Sequence, residues 1–287
     1  MNSLTTKIGE WIRELFISGI TNNFQGMFDE VNTKVTEVAA QVGQTPEGWN
    51  PGVFSMIKNL SETVIVPVAG IILTFVLCYE LIHMLIDRNN LHDVDTWMFF
   101  KWIFKTLVAV YILTNTFDLV MGIFGLAQHV INGSAGVIQG TLDINFAMND
   151  LDATLQAMGT MELMGLYMET WAISLGMKAL SLCIFLIIHG RMIEIYLTVS
   201  VAPIPFSTMA NHEWGQIGTN YLKALFAIAF QGFLIMVCIA IYAVLLRGVA
   251  TADNIHAALW GCAGYTILLG FCLFKTSSLA KSVFSSH

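Results

Sequence analysis

Five long apolar stretches, separated by polar segments, dominate the 287-residue chain. A hydrocarbon core about 30 Å thick is crossed by about 20 helical residues, so each stretch is predicted to be a transmembrane helix. The predicted spans are about residues 64–86, 102–126, 172–201, 224–246 and 257–274. This pattern predicts an all-α, polytopic membrane protein with five transmembrane helices, and six spans remain the alternative.

The stretch 172–201 decides the number of spans, because it is the longest. It contains a single break candidate, Gly190, and one glycine does not make a helical hairpin. As one tilted helix it separates Lys178 from Arg191 by about 20 Å, so each side chain can extend to an opposite membrane face. We therefore expect Arg191 to be an anchor at the inner face.

The first 40 residues have the pattern of an amphipathic helix. Apolar side chains recur at three- and four-residue spacing, but charged residues between them make the segment too polar to span a membrane. It lies on the membrane or on partner subunits, or else folds onto the chain's own spans, and the sequence favours neither. We divide the chain into extracytoplasmic or interfacial helices at 1–60 and a transmembrane domain at 61–287.

Charge sets the predicted topology. Charged residues make up 11% of the chain, its net charge is −7, and no basic cluster indicates a nucleic-acid groove or a polybasic lipid anchor. Lys and Arg are absent from Thr106 to Met177, so the positive-inside rule places the predicted loop 127–165 outside. The same rule predicts an outside N-terminus and a cytoplasmic C-terminus.

Three features inside or beside the first two spans carry charge. Glu80 and His83 share one face near the end of the first span, and we interpret them as an interfacial pair reaching lipid headgroups rather than an ion relay. Asp118 lies well inside the second predicted span and should face protein or water. Lys101 and Lys105 alternate with aromatic residues, as is typical of a membrane surface.

Two prolines interrupt the chain after the third span. Pro203 and Pro205 lack amide hydrogens and are expected to move the preceding residues out of helical conformation. The segment is either a broken, re-entrant element lining a cavity or a helix end at the membrane surface. A polar stretch containing Trp214 follows, and the two interpretations are equally supported.

No catalytic, cofactor or metal site is predicted. His212-Glu213 lacks the second histidine of a zinc-protease helix, and no nucleotide-binding loop occurs. The five cysteines all lie in apolar stretches and are expected to be small buried residues. The sequence therefore does not favour an enzyme.

The order of features resembles a known family. A loop without basic residues, a span with Arg191 near its inner end, the Ala202-Pro203-Ile204-Pro205 break and the segment with Trp214 resemble the TrbL-type inner-membrane proteins of type IV secretion and conjugation systems. The whole chain resembles the compact versions found in conjugative elements of Firmicutes.

The resemblance implies a channel or scaffold subunit in the cytoplasmic membrane, present in several copies. Its partners would be membrane lipids, other secretion subunits including ATPases, and single-stranded DNA in transit with its attached relaxase. No cofactor is implied. The residues expected near the path or at subunit contacts are Glu80, Asp118, Arg191, Glu194, Pro203, Pro205 and Trp214.

Two other functions fit the spans. A secondary transporter or small channel would bind solute at a broken helix at Pro203–Pro205, but such folds usually have paired halves, which five spans do not give. A membrane anchor that only recruits partners would have no water-filled interior.

Overall fold

The computed structural model describes residues 2–86, 96–138, 149–250 and 255–284, and the regular structure within them is helical. The helices are α1 (Asn2–Val42), α2 (Pro46–Trp49), α3 (Pro51–Leu60), a π-helical turn (Ser61–Ile65), α4 (Val66–Ile86), α5 (Thr96–Thr114), α6 (Thr116–Ile138), α7 (Asn149–Ala157), α8 (Thr160–Val201), α9 (Pro203–Ser207), a 3₁₀ turn (Thr208–Ala210), α10 (Gly215–Ala250) and α11 (Ile255–Val283).

Five helical stretches in the described residues are long and apolar enough to cross a membrane. They are Pro51–Ile86, Thr96–Thr114, Thr160–Ala210, Gly215–Leu246 and Ile255–Val283. The prediction of an all-α, polytopic membrane protein is confirmed, and each of the five predicted spans overlaps one of these stretches.

The second predicted span, 102–126, stays a prediction; in the structure Asn115 separates α5 from α6, and the stretch able to cross a membrane is Thr96–Thr114. Around this position, side chains bond to carbonyls of the preceding turn: Asn115 Nδ2 donates to Tyr111 O at 2.9 Å and Thr116 Oγ1 to Ile112 O at 2.8 Å. Such bonds compete with the helical backbone ladder. Asp118 lies in the first turn of α6.

The predicted loop 127–165 is largely helical where the structure describes it. Helix α6 continues to Ile138, α7 covers Asn149–Ala157 and α8 begins at Thr160. Residues 139–148 lie outside the described residues. The extracytoplasmic position of this region stays a prediction.

The third span is a single helix, as predicted, and it passes Gly190 without a break. Helix α8 has 42 residues, which corresponds to about 63 Å of length. It is thus about twice as long as the hydrocarbon core is thick.

The proline pair begins a helix rather than unwinding one. Ala202, which precedes Pro203, has helical torsion angles of φ −52° and ψ −36°, and the Phe206 amide donates to the Ala202 carbonyl at 3.2 Å. The expectation that the prolines displace preceding residues from helix is wrong at Ala202. Pro203 occupies the first position of α9, where an amide hydrogen is not needed.

The chain leaves helical conformation only at Asn211, where φ is −102° and ψ is 144°. Helix α10 then passes close to the preceding corner at Gly218. A Cβ atom on Gly218 would lie 2.2 Å from Met209 Cγ and 2.6 Å from the Pro205 carbonyl oxygen. Only glycine fits this close approach of α10 to the end of α9.

The chain forms two compact units, each assembled from separate segments. Unit 1 comprises residues 1–42, 133–188 and 235–275, and unit 2 comprises residues 43–132, 189–234 and 276–287. The division of the chain into residues 1–60 and 61–287 was based on their expected position relative to the membrane. It stays a prediction.

In unit 1, α1 packs on α8 rather than standing alone. The rings of Phe16 and Tyr167 lie 5.7 Å apart, and Ser181 Oγ donates to Glu30 Oε1 at 2.6 Å. The apolar side of α1 is buried at Ile20, Phe24, Met27, Phe28, Val38 and Val42. Of the two alternatives considered for the N-terminal helix, the described residues show the one in which it folds onto the chain's own helices.

Unit 2 contains two apolar clusters. The larger joins the end of α8 and the first half of α10 to α6, around Phe117, Val120, Tyr196, Val199 and Leu225. The smaller joins α4 to Leu113 of α5 and Ala210, with Ile204 and Trp214 packed against it. This second cluster positions the polar site described next.

Candidate functional site

A buried carboxylate, Glu80, is the centre of the most connected polar site in unit 2. It belongs to the buried stripe of α4, whose other members are Ala69, Leu73, Val76 and Leu77. Three- and four-residue spacing places all five on one helix face. Since that face packs against α5 and the α9 corner, Glu80 is carried into the protein and is 9% exposed.

Both oxygens of Glu80 have partners. Lys105 Nζ lies 2.6 Å from Oε1, and Asn211 Nδ2 donates to Oε2 at 2.8 Å. The His212 amide donates to the same Oε2 at 3.2 Å. We call Glu80, Lys105, Asn211 and His212 the Glu80 cluster.

Asn211 connects this carboxylate to the start of α10. Its Oδ1 accepts hydrogen bonds from the amides of Glu213, at 2.8 Å, and Trp214, at 2.9 Å. An asparagine with extended torsion angles that accepts amides two and three residues ahead is a typical helix-initiating turn. Asn211 is 3% exposed, so both ends of its side chain are used inside the protein.

An aromatic stack lies beside the Glu80 cluster. The Trp214 ring is nearly parallel to Tyr79 and Phe75, with centroid separations of 5.1 and 5.8 Å. The Tyr79 hydroxyl donates to Glu213 Oε2 at 3.2 Å, and His83 Nε2 lies 3.6 Å from Glu213 Oε1. The segment 211–214 is therefore held to α4 by hydrogen bonds and aromatic contacts.

These contacts correct two interpretations drawn from the sequence. Glu80 does not reach toward headgroups, because it is buried and bonded to α5 and to segment 211–214. Lys105 turns toward Glu80 instead of extending along the membrane surface. The pair forms because a carboxylate on a buried helix face needs a cation and donors close by.

The hydrogen bonds of the Glu80 cluster join α4, α5 and the segment 211–214. Charge-assisted hydrogen bonds at 2.6–2.8 Å are strong, and removing the Glu80 carboxylate would take this acceptor from Lys105, from the buried Asn211 side chain and from the His212 amide. Among the described residues, no group of three or more His, Cys, Asp or Glu is arranged to hold a metal ion.

Arg191 lies elsewhere in unit 2 and is 6% exposed, so the prediction of an anchor at the membrane surface is wrong. Its Nη2 lies 3.4 Å from the Ala229 carbonyl oxygen, and its Nε has no partner among the described residues. A Cβ on Gly232 would lie 2.8 Å from Nη2, so glycine makes room for the guanidinium between α8 and α10.

The other predicted charges are exposed. Glu194 lies 3.8 Å from Lys281, and 41% of its side chain is exposed. Asp118 lies 3.5 Å from Lys58, and 70% of its side chain is exposed.

Of the predicted residues, the structure brings Glu80 and Trp214 to one site, and Pro203 is buried in the α9 corner nearby. Asp118, Arg191 and Glu194 make the separate contacts described above. Sequence reasoning missed Asn211 and the roles of Lys105 and Tyr79. The available signals were the regular spacing of Glu80 with Leu73 and Leu77, and an asparagine shortly before a helix.

These features define a polytopic all-α membrane protein whose polar interior groups fix helix packing and chain turns. The chain belongs to the family described as TrbL/VirB6 plasmid conjugal transfer like protein, whose sequence model matches residues 31–203. The resemblance found in the sequence is thereby confirmed. No curated protein and no solved structure matches the chain.

The matched region contains Glu80, Lys105 and Arg191 and ends at Pro203. Asn211 and Trp214 follow it. The Glu80 cluster therefore joins the matched region to the segment that comes after it.

Replacing Glu80 by alanine is expected to destabilise the protein by about 1–3 kcal/mol, because Lys105, Asn211 and the His212 amide lose their acceptor. Thermal unfolding of the purified protein in detergent measures the effect. The control is Glu62→Ala, because Glu62 is 3.7 Å from Lys58 with 46% of its side chain exposed. It should change stability by less than about 0.5 kcal/mol. Equal stability of both variants would contradict the role of Glu80.

Proposed function

We propose that this protein is a channel or scaffold subunit of a conjugative type IV secretion system. It helps single-stranded DNA and its attached protein cross the cytoplasmic membrane. The observation that carries the proposal is the family match over residues 31–203, together with five helical stretches able to cross a membrane.

The role we propose is passive. The sequence contains no nucleotide-binding loop, so partner ATPases of the secretion system supply the energy. Several copies of the chain assemble around the path. The protein is a structural component and catalyses no reaction itself.

By burial, five of the predicted site residues divide into two groups. Glu80, Arg191 and Pro203 are buried within the subunit and maintain its shape. Asp118 and Glu194 have exposed side chains and remain available for contacts with other subunits or with the path. Trp214 fixes the turn before α10 through its stack on α4.

We further propose that the N-terminus is outside and the C-terminus cytoplasmic. The positive-inside rule places the end of α4, the start of α5 and the segment around Asn211 on the cytoplasmic side. Glu80, Lys105 and Asn211 come from these three places and meet in one cluster. Their proximity supports the proposal, because the three places must then lie at the same membrane depth.

Reporter fusions test this topology. A reporter that works only in the cytoplasm should be active when it is joined after Asn211. A reporter that works only after export should be active when it is joined after Asn254, because α10 lies between the two positions. A fusion before Asn2 serves as the outside reference. The reverse pattern at Asn211 and Asn254 would contradict the proposed topology.

Loss of the gene should abolish DNA transfer to recipient cells, and the wild-type copy should restore it. Complementation by Glu62→Ala should be full. Complementation by Glu80→Ala should be reduced, since the turn at Asn211 loses its attachment. Immunoblots of membrane fractions separate loss of protein from loss of activity. Unchanged transfer after deletion would refute the proposed function.

A further inference from the structure

The two apolar clusters of unit 2 are built on different helices. The smaller cluster lies on α4 and α5 and includes Ala210, with Trp214 packed against it. The larger cluster lies on α6, the end of α8 and the first half of α10, and Ile57 of α3 belongs to it. Helix α9 lies at their boundary, since Ile204 packs against the smaller cluster and Phe206 against the larger.

The chain passes between these clusters four times within the described residues of unit 2, and each passage departs from regular α-helix. The passages are the π-helical turn Ser61–Ile65, Asn115, Ala202 and the segment 211–214. Densely packed clusters move as rigid bodies, and a few residues at the ends of helices absorb the change in torsion angles. The four passages are thus the places where one cluster can turn relative to the other.

The first passage is weakened by Pro67. This residue lacks the amide hydrogen that would bond to the Thr63 carbonyl four residues back. The helix widens here, and the Val66 amide donates to the Ser61 carbonyl, five residues back. Ser61 is fully buried, and its hydroxyl has no hydrogen-bond partner among the described residues. Helices bend most readily at a proline or a π-helical turn, and this passage has both.

The passage at Ala202 lacks two helical hydrogen bonds. Pro203 has no amide hydrogen to donate to the Val199 carbonyl, and Pro205 has none for the Val201 carbonyl. The Ala202 amide donates to Val199 at 3.2 Å, three residues back, which is the tighter pattern of a 3₁₀ turn. The chain is therefore held here by fewer backbone bonds than inside α8.

The other two passages are interrupted as well. Helix α5 ends before Asn115, whose side-chain amide donates back to the Tyr111 carbonyl at 2.9 Å. The segment 211–214 is bound to α4 through Asn211 and His212, so the turning point of the fourth passage is the start of α10. Helix α10 begins at Gly215, which has no side chain to restrict its torsion angles.

The Glu80 cluster lies entirely on one side of these turning points. Glu80 of α4 bonds to Lys105 of α5 at 2.6 Å and to Asn211 at 2.8 Å. Trp214 adds its stack on Tyr79 of α4. Charge-assisted bonds of this length are strong, so α4, α5 and the segment 211–214 are tied to one another.

We propose that α4, α5 and residues 208–214 form one lobe that swings as a body relative to a frame made of α6, the end of α8 and the first half of α10. The π-helical turn, Asn115, Ala202 and Gly215 are its hinges, and the Glu80 cluster keeps the lobe rigid. The inference goes beyond the proposed function, because it concerns a motion within a single chain.

Distances between pairs of spin labels, measured by pulsed electron paramagnetic resonance on the purified protein in lipid nanodiscs, test the proposal. The five native cysteines are first replaced by alanine. The pair Ile71→Cys with Leu126→Cys joins the lobe to the frame. The control pairs are Ile71→Cys with Phe104→Cys, within the lobe, and Leu126→Cys with Leu197→Cys, within the frame. All four positions are exposed.

The lobe-to-frame distances should be distributed at least about twice as widely as those of either control pair, because only that pair spans the hinges. Pro67→Ala restores an amide at the first hinge and should narrow this distribution, and Pro203→Ala should do the same at the third. Glu80→Ala should instead broaden the distribution within the lobe, because α4 loses its bonds to α5 and to Asn211.

Three results would overturn the proposal. A lobe-to-frame distribution as narrow as both controls would mean that the lobe and the frame are one rigid body. A distribution within the lobe as wide as that between lobe and frame would mean that the lobe does not move as a unit. An unchanged width in both proline variants would exclude these hinges. The distances need no DNA transfer, so their outcome is distinct from unchanged transfer after gene deletion.

Discussion

The buried carboxylate of Glu80, paired with the half-exposed Lys105, holds the proline-containing corner of this chain in place. The carboxylate also accepts from Asn211 and from the His212 amide, so a single group joins α4, α5 and the segment leading into α10. Burying an ionised group is costly unless all of its bonding capacity is used. The corner supplies two of those partners, the Asn211 side chain and the His212 amide.

The π-turn and the prolines are consistent with this constraint. Helices α3 and α4 continue through the π-helical turn at Ser61–Ile65, and Pro203 starts α9 instead of bending α8. The chain direction changes at Asn211, whose side chain is bonded at both ends. In a membrane protein the backbone can leave helical conformation where other protein groups form hydrogen bonds with its amides and carbonyls. Here the Asn211 side chain accepts from the amides of Glu213 and Trp214.

Much of the fold could be predicted from hydropathy alone, because long apolar helices are the strongest signal in a sequence. Five spans and the unbroken helix through Gly190 follow from it. The turn at Asn115 could not be predicted in this way, because the hydrogen bond from its side chain to the preceding helical turn does not affect hydropathy. Glu80 and Arg191 were assigned to the membrane surface because burial depends on distant partners, which single-sequence spacing does not specify. The same limit concealed Asn211.

A double-mutant cycle between Glu80→Ala and Asn211→Ala, measured by thermal unfolding in detergent, tests most directly whether this carboxylate fixes the corner. The two residues share a hydrogen bond of 2.8 Å, so their effects should be coupled by about 1 kcal/mol or more. The control pair, Glu62→Ala with Asn211→Ala, should be additive within about 0.5 kcal/mol. Additive effects of Glu80 and Asn211 would contradict the account.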